Sequence, residues 1–324
     1  MADKLMVVIP CYNEEAVLPE TSKRLVVKMN GLMDAGLITK DSKVLLVDDG
    51  SKDKTWTLIS QLNRENALFE GVKLSRNRGH QNALLAGLMT ARGRCDISIS
   101  MDADLQDDMD AMDRFIEKYD SGCDIVYGVR NKPETDTFFK RQTALMFYRL
   151  MKGLGVDITY NHADYRLMSN RALDALHDFS EVNLFLRGLA PLVGFQSDVV
   201  TYDRGERFAG ESKYPLKKML AFAIDGITSF SVKPLRLITN AGLVIFVASL
   251  CMLLYVLIAW LSGHAVAGWT STLASIWMIC GIQLLSLGVI GEYTGKIYNE
   301  VKRRPRFIID RYLNDRGDDP VADK

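Results

Sequence analysis

The sequence predicts an α/β domain with a mostly parallel sheet, followed by two apolar helices that cross a membrane. Apolar runs rich in β-branched residues alternate with longer helix-like segments from Leu5 to Val129. Polar motifs come directly after several of these runs. No Lys, Arg, Asp or Glu occurs between Arg236 and Glu292, although 25% of the chain is charged.

The predicted sheet rests on five short apolar runs. We expect strands at Leu5–Pro10, Val44–Val47, Val72–Leu74, Ile97–Met101 and Ile125–Val129. Helix-like segments separate them near Glu15–Asp34, Thr55–Asn66, Gln81–Ala91 and Met109–Ser121. Such alternation favours a mostly parallel sheet with helices on both faces. Ligands of these sheets bind at the carboxyl ends of the strands, so polar motifs there are candidate site residues.

The charge-free stretch divides into two spans, about Leu237–Leu261 and Leu273–Gly291. Each approaches or exceeds the roughly 20 apolar residues that a bilayer-crossing helix needs. Lys and Arg flank the outer ends, whereas the link 262–272 has no Lys or Arg, and its only basic side chain is that of His264. This bias predicts a multi-pass protein of the inner or plasma membrane whose large N-terminal part is cytoplasmic. A pair of buried core helices is the alternative.

Apolar residues also repeat at helical spacing over Leu216–Ser231, which suits a helix in the membrane interface or an amphipathic core helix. The predicted divisions are the α/β domain at 1–213, this helix at 214–235, the hairpin at 236–292 and a cytoplasmic tail at 293–324. The polar end from about Asn314 is expected to be disordered.

Composition argues against several other classes. The five cysteines are scattered without a Cys-x-x-Cys pair, which disfavours a disulfide framework or a zinc site and suits a reducing compartment. Forty basic and forty acidic residues balance, so the net charge gives no reason to expect nucleic-acid binding. The apolar run near the N-terminus is too short for a signal peptide.

Two acidic motifs carry the candidate chemistry. Asp102 and Asp104 come at the end of a predicted strand, where side chains two positions apart point the same way. Magnesium or manganese ions prefer oxygen ligands and share them with substrate phosphates. Asp48-Asp49-Gly50-Ser51 follows the second predicted strand. Each motif alone is also compatible with an ordinary turn.

Together, these motifs resemble those of the family-2 inverting glycosyltransferases of GT-A fold. The matching segments are Val8–Glu15, Val47–Thr55 and Met101–Asp107. Further segments resemble the branch of bactoprenol-phosphate glucosyltransferases and dolichol-phosphate mannosyltransferases: Leu74–Ala83, Asp164–Ser169, Gly210–Tyr214 and Gly291–Tyr293. The resemblance extends over about Met6 to Leu313 and indicates the branch, but not the sugar.

The resemblance implies that 1–213 is a catalytic domain, with a donor site over about 1–130 and an acceptor region over about 131–213. It also implies roles for three groups of residues. The base and ribose of the nucleotide sugar would meet Pro10, Tyr12, Glu14 and Asp49. The metal ion and donor pyrophosphate would be held by Asp102, Asp104 and Gln106. Phosphates, mainly the acceptor's, would meet Arg130, Arg141, Arg166, Arg207 and Lys213, since recognition of phosphate rests on charge-assisted hydrogen bonds. Solvated surface is the alternative for Arg130, Arg141, Arg207 and Lys213.

The implied catalytic residues are Asp104, Arg207 and Asp164. Asp164 is the base candidate by resemblance to the bactoprenol enzymes, whereas related mannosyltransferases carry an aromatic residue there. A phosphate monoester has a second pKa of about 6 and is mostly doubly ionised near neutrality, so it needs little help from a base. We therefore expect Asp164 to orient the acceptor or its basic partners.

The implied activity is inverting transfer of a hexose, with glucose from UDP-glucose as the first choice, to undecaprenyl or another polyprenyl phosphate. It requires Mg²⁺ or Mn²⁺ and gives a lipid-linked sugar for the modification of cell-surface glycans. A homo-oligomer, such as a tetramer, is expected. The alternatives are transfer from GDP-mannose and a non-catalytic lipid-binding scaffold. A processive polysaccharide synthase is disfavoured because no Gln-x-x-Arg-Trp motif occurs, and an oxidoreductase because Gly-x-Gly-x-x-Gly is missing after the first strand.

Overall fold

The structure is a computed structural model that describes residues 2–131, 162–181, 186–203, 233–262, 268–314 and 317–319. The chain divides into two compact units, one with a sheet and its helices and one with two long helices. Three predicted site residues, Arg141, Arg207 and Lys213, lie outside the described residues. So does the helix predicted over Leu216–Ser231.

The first unit alternates strands and helices. Its described strands are β1 (Leu5–Cys11), β2 (Lys43–Asp48), β3 (Phe69–Leu74), β4 (Ile97–Ser100), β5 (Ile125–Arg130), β6 (His162–Ser169), β7 (Ser197–Tyr202), β8 (Ile309–Asn314) and β9 (Gly317–Asp319). Its described helices are α1 (Leu18–Asp34), α2 (Thr55–Glu65), α3 (His80–Ala91), α4 (Ala111–Asp120), α5 (Asn170–His177) and α6 (Leu186–Leu192). The strands form one sheet in the order β7-β5-β6-β4-β1-β2-β3-β8-β9.

The predicted α/β architecture with a mostly parallel sheet is confirmed. β1 pairs in parallel with β2 and β4, β2 with β3, and β5 with β7. β6 runs antiparallel between β4 and β5, and β8 runs antiparallel to β3. Because β6 runs in the opposite direction to β4, its first residues lie at the edge where β4 ends. That reversal brings Asp164 beside the motif that follows β4.

Helix α3 packs closely against the centre of the sheet. Every residue of β1 is buried, which explains its unbroken apolar run in place of an alternating pattern. A Cβ on Gly87 of α3 would lie 2.3 Å from Val8 Cγ1 and 2.8 Å from Val47 Cγ2. Only glycine therefore allows α3 to approach β1 and β2 this closely. The contact fixes the position of the first turn of α3.

The second unit contains α7 (Lys233–Leu261) and α8 (Trp269–Val301), which contact each other and include both predicted spans. Taking only the part of the chain that the structure describes, neither these helices nor any other has the length and apolar character needed to cross a bilayer. The two transmembrane spans therefore stay a prediction.

The segment after α8 returns to the sheet of the first unit. β8 pairs with β3, and β9 pairs with β8 through Tyr312 and Asp319. The expectation of disorder from about residue 314 is therefore wrong for 317–319. Composition alone could not predict β9. This strand pairs with β8, and β8 is in turn held in the sheet by β3, which is distant in sequence.

Candidate active site

Four polar segments lie at the edge where the central parallel strands end. Tyr12–Glu14 follows β1, Asp49–Ser51 follows β2, Arg76–Gly79 follows β3 and Asp102–Asp104 follows β4. The strands are adjacent in the sheet, so the segments are neighbours in space as well. This is the edge at which open α/β sheets bind their ligands.

Asp49 joins the second and third of these segments. Its carboxylate is buried and accepts the Arg78 N–H at 2.7 Å and the Gly79 N–H at 2.8 Å. Burial raises the pKa of Asp49, while the two N–H donors oppose that shift. Gly50 has a φ of +66°, and a Cβ there would lie 2.6 Å from the Asn77 nitrogen. Asp49 and Gly50 thus hold the loop after β3 in one position.

The other residues predicted to bind base and ribose lie beside this junction. Pro10 is buried within β1, whereas Tyr12 is 41% exposed immediately after it. Asn13 adopts a φ of 56° and its N–H donates to Ser51 Oγ at 3.0 Å. The Glu14 N–H donates to Thr55 Oγ1 at 2.8 Å. The structure therefore brings Pro10, Tyr12, Glu14 and Asp49 to one edge, and their roles there remain predictions.

The predicted metal ligands begin a tight loop. Asp107 Oδ2 accepts the Asp102 N–H at 3.3 Å, and Asp104 Oδ1 accepts the Gln106 N–H at 3.2 Å. Leu105, which lies between Asp104 and Gln106, has a φ of 60°, in the left-handed region. Gln106, also predicted to face the donor, is buried. Asp102 and Asp104 are two positions apart at the start of this loop, and the loop brings a third acid, Asp107, against the Asp102 backbone.

Burial raises the pKa of the Asp102 carboxyl to about 6. His80 opposes this shift, and the negative charges of Asp107, Asp164 and Asp104 add to it. Within the described ranges, no three His, Cys, Asp or Glu side chains converge on a common metal position. Asp102 and Asp104 nonetheless fit a magnesium-type ion, because such ions commonly take one or two carboxylates and complete their shell with water and substrate phosphates. A cation would also offset the negative charge crowded around Asp102.

Arg130, predicted to meet a phosphate, belongs to a cluster that the sequence interpretation did not include. Its Nη2 lies 3.3 Å from Asp107 Oδ1 and 3.9 Å from Asp102 Oδ2. Its Nε donates to the Tyr202 hydroxyl at 3.2 Å, and that hydroxyl donates to Asp107 Oδ1 at 2.6 Å. Asp107 and Tyr202 therefore hold the guanidinium beside the predicted metal ligand. Asp107 lies in the motif after β4, but no sequence signal pointed to Tyr202.

Asp164 and Arg166 form a buried pair. They are two positions apart on β6, so their side chains share one face. Arg166 Nη2 donates to Asp164 Oδ1 at 3.0 Å, and its Nη1 donates to the Leu186 carbonyl at 3.1 Å. Arg166 is only 1% exposed. This placement argues against the predicted contact between Arg166 and the acceptor phosphate, because the guanidinium is turned into the protein.

The first turn of α3 reaches the second oxygen of Asp164. His80 Nε2 lies 3.3 Å from Asp164 Oδ2 and 3.5 Å from Asp102 Oδ1. Gln81 Nε2 donates to Asp164 Oδ2 at 3.2 Å. The His80 side chain is 43% exposed, so it links a buried carboxylate to the open edge. Both residues lie in the motif after β3, yet sequence reasoning assigned neither of them a role.

Comparison with known proteins identifies the family of this chain. Residues 6–176 match the model described as Glycosyl transferase family 2, and residues 233–297 match the model described as GtrB C-terminal hairpin. The uncharacterized glycosyltransferase YkoT of Bacillus subtilis (strain 168) is 55% identical over 94% of this chain and 91% of that protein. The SfII prophage-derived bactoprenol glucosyl transferase of Shigella flexneri is 39% identical over 94% of this chain and 97% of that protein.

Among solved structures, glucosyl-3-phosphoglycerate synthase from Mycobacterium tuberculosis is similar with a TM-score of 0.42 and 18% identity. The match covers 70% of this chain and 78% of that one. The class defined by the sequence relatives and the parallel α/β fold is a glycosyltransferase. More specifically, the chain belongs to glycosyl transferase family 2, with a C-terminal hairpin of the GtrB type.

Proposed function

We propose that this enzyme transfers glucose from UDP-glucose to a polyprenyl phosphate, with inversion at the anomeric carbon. The observation that carries the proposal is the acidic pair Asp102 and Asp104 at the carboxyl edge, in a chain 39% identical over 94% of its length to a bactoprenol glucosyl transferase. The product is a polyprenyl phosphate glucose that supplies cell-surface glycan modification.

The donor half of the reaction uses the edge formed by β1, β2 and β4. Tyr12 offers an exposed ring on which a base can stack, and Asp49 fixes the adjoining loop. Asp102 and Asp104 would hold a Mg²⁺ or Mn²⁺ ion together with the diphosphate. Such an ion neutralises the charge that grows on the leaving nucleoside diphosphate. Arg130 lies 3.9 Å from Asp102, where it adds a fixed positive charge near the same phosphates.

The acceptor half requires orientation more than proton removal. A phosphate monoester is mostly doubly ionised near neutrality and is itself the nucleophile. Asp164 directs one oxygen at Arg166 and the other at Gln81 and His80. Such a carboxylate is placed to orient its neighbours, so we assign Asp164 a positioning role. Arg141, Arg207 and Lys213 are proposed to bind the acceptor phosphate.

We further propose that α7 and α8 anchor the enzyme in the cell membrane with its catalytic domain on the cytoplasmic side. The charge-free stretch between Arg236 and Glu292 supports this proposal, as does the exposure of apolar side chains on both helices. Val244 is 69% exposed and Leu284 is 70% exposed. A lipid-linked acceptor would then meet the site at the membrane surface. We also propose a homo-oligomer.

The test is a donor screen with the full-length chain in detergent. UDP-glucose, UDP-galactose and GDP-mannose are each supplied with undecaprenyl phosphate, with Mg²⁺, Mn²⁺ or EDTA, and the lipid product is identified by mass spectrometry. We expect a hexosyl phosphate lipid from UDP-glucose that disappears with EDTA. If only GDP-mannose gave a product, the proposed donor UDP-glucose would be wrong. If no donor gave a lipid product, the proposed function would be refuted.

A further inference from the structure

We propose that Gln81 is a positioning residue for sugar transfer and that it acts by fixing the carboxylate of Asp164. This inference rests on the proposed transfer reaction. The inference goes beyond that reaction, because it gives a role to a side chain whose contacts join three separate elements: α3, β6 and α6.

The contacts form a closed ring of hydrogen bonds. Gln81 Nε2 donates to Asp164 Oδ2 at 3.2 Å, and Gln81 Oε1 accepts the Leu186 N–H at 3.0 Å. The Leu186 carbonyl accepts from Arg166 Nη1 at 3.1 Å, and Arg166 Nη2 donates to Asp164 Oδ1 at 3.0 Å. Both oxygens of Asp164 are therefore directed by side chains that meet at one residue of α6.

One member of the ring, Asp164, also contacts the partly exposed side chain of His80. His80 Nε2 lies 3.3 Å from the Asp164 oxygen that Gln81 holds, and 3.5 Å from Asp102 Oδ1. Rotation of the Asp164 carboxylate would therefore move the contact that holds the imidazole beside the predicted metal ligand. Gln81 is next to His80 in sequence, so the first turn of α3 both carries the imidazole and holds the carboxylate that orients it.

The chemistry of Gln81 suits this task better than that of other side chains of similar size. An amide can donate from Nε2 and accept at Oε1 at the same time. A carboxylate at this position could accept from Leu186 but could not donate to Asp164. A thioether has no hydrogen to donate to Asp164 and accepts from Leu186 only weakly. Substitutions of Gln81 can therefore separate its two contacts.

The experiment compares Gln81→Met and Gln81→Glu with the wild type, using the full-length chain in detergent, UDP-glucose and undecaprenyl phosphate. We expect kcat to fall about tenfold in both variants while the KM of UDP-glucose stays within about twofold, because the lost contact orients a group rather than binding the donor. Hydrogen exchange of the peptide that contains Leu186 should quicken in Gln81→Met and stay near wild type in Gln81→Glu.

Gln61→Met is the matched control, because Gln61 is an exposed glutamine on α2 that contacts only Glu65 among the bonds described. It should keep the wild-type kcat. Wild-type kcat in Gln81→Glu would show that Gln81 merely tethers Leu186 and would overturn the proposal. Wild-type kcat in both variants, or a KM that rises as much as kcat falls, would also overturn it.

Release of UDP without acceptor is measured in parallel on the same variants. A wild type that hydrolyses UDP-glucose but forms no lipid product would refute the proposed function. In that case, the kcat of hydrolysis in the two variants still tests the role of Gln81. The two proposals can therefore fail separately.

Discussion

Two buried carboxylates at opposite edges of the same sheet accept similar sets of hydrogen bonds, but their hydrogen-bond networks lead to different parts of the molecule. At the amino edge, Glu70 accepts from Arg94 Nη2 with both oxygens, at 3.0 and 2.9 Å, and from the Tyr312 hydroxyl at 2.6 Å. At the carboxyl edge, Asp164 is held by Arg166 and Gln81. Each carboxylate thus combines one arginine with one neutral donor from a distant element.

The difference lies in the groups on which each network ends. The Arg94 guanidinium stacks 4.9 Å from the ring of Tyr312, so the Glu70 network closes on β8 and fastens the end of the chain to β3. The Asp164 network continues through His80, which is 43% exposed, to Asp102. The same chemistry therefore serves stability at one edge and, on our proposal, catalysis at the other.

The largest expected effect tests whether the carboxyl edge is the reaction site. Asp104→Ala should lower transfer about a thousandfold or more even with excess Mg²⁺ or Mn²⁺, since a group that stabilises charge in the transition state is removed. The rate of lipid-linked hexose formation measures this effect. Asp110→Ala, which changes an exposed acid of the same segment, should leave the rate unchanged. An active Asp104→Ala enzyme would refute the metal assignment.

Asp164→Asn tests whether this carboxylate orients its neighbours or removes a proton. We expect kcat to fall about tenfold, because the amide keeps an acceptor for Arg166 but loses charge. The loss should be the same at pH 7 and pH 9. A fall of several orders of magnitude that alkaline buffer restores would instead identify a general base. The pH dependence of kcat, measured alongside wild type, separates the two results.

Glu70→Gln tests the amino edge. It leaves a partly exposed Arg94 without its charged partner, so the free energy of unfolding should fall by about 1–3 kcal/mol. The kcat of the folded enzyme should not change. Thermal unfolding and initial rates at low temperature measure the two quantities. A kcat that falls with stability unaltered would remove the distinction between the edges.

The smallest effect is expected for Tyr312→Phe, which removes one hydrogen bond to Glu70 and keeps the ring that stacks on Arg94. Stability should fall by about 1 kcal/mol. Hydrogen exchange of residues 309–314 should quicken without a change in kcat. Exchange that is unaltered would show that backbone pairing alone holds β8 on β3.

Much of this protein could be predicted from its sequence. Unbroken apolar runs such as Leu5–Pro10 predict buried parallel strands. The absence of charge between Arg236 and Glu292 predicts two helices that cross a membrane; the two helices are present, and the crossing stays a prediction. The polar motifs after the strands predict an active-site edge. These features are local, since each depends on residues close together in the chain, and they were sufficient for the family.

Only the tertiary structure decided which partners the functional side chains have. Arg166 was predicted to meet a phosphate, but the antiparallel direction of β6 and the position of α6 bury it against Asp164 and Leu186. Gln81 and Tyr202 reach the site through contacts 83 and 95 positions away in the chain. No pattern of neighbouring residues encodes such contacts, because they arise when strands and helices distant in sequence pack against one another.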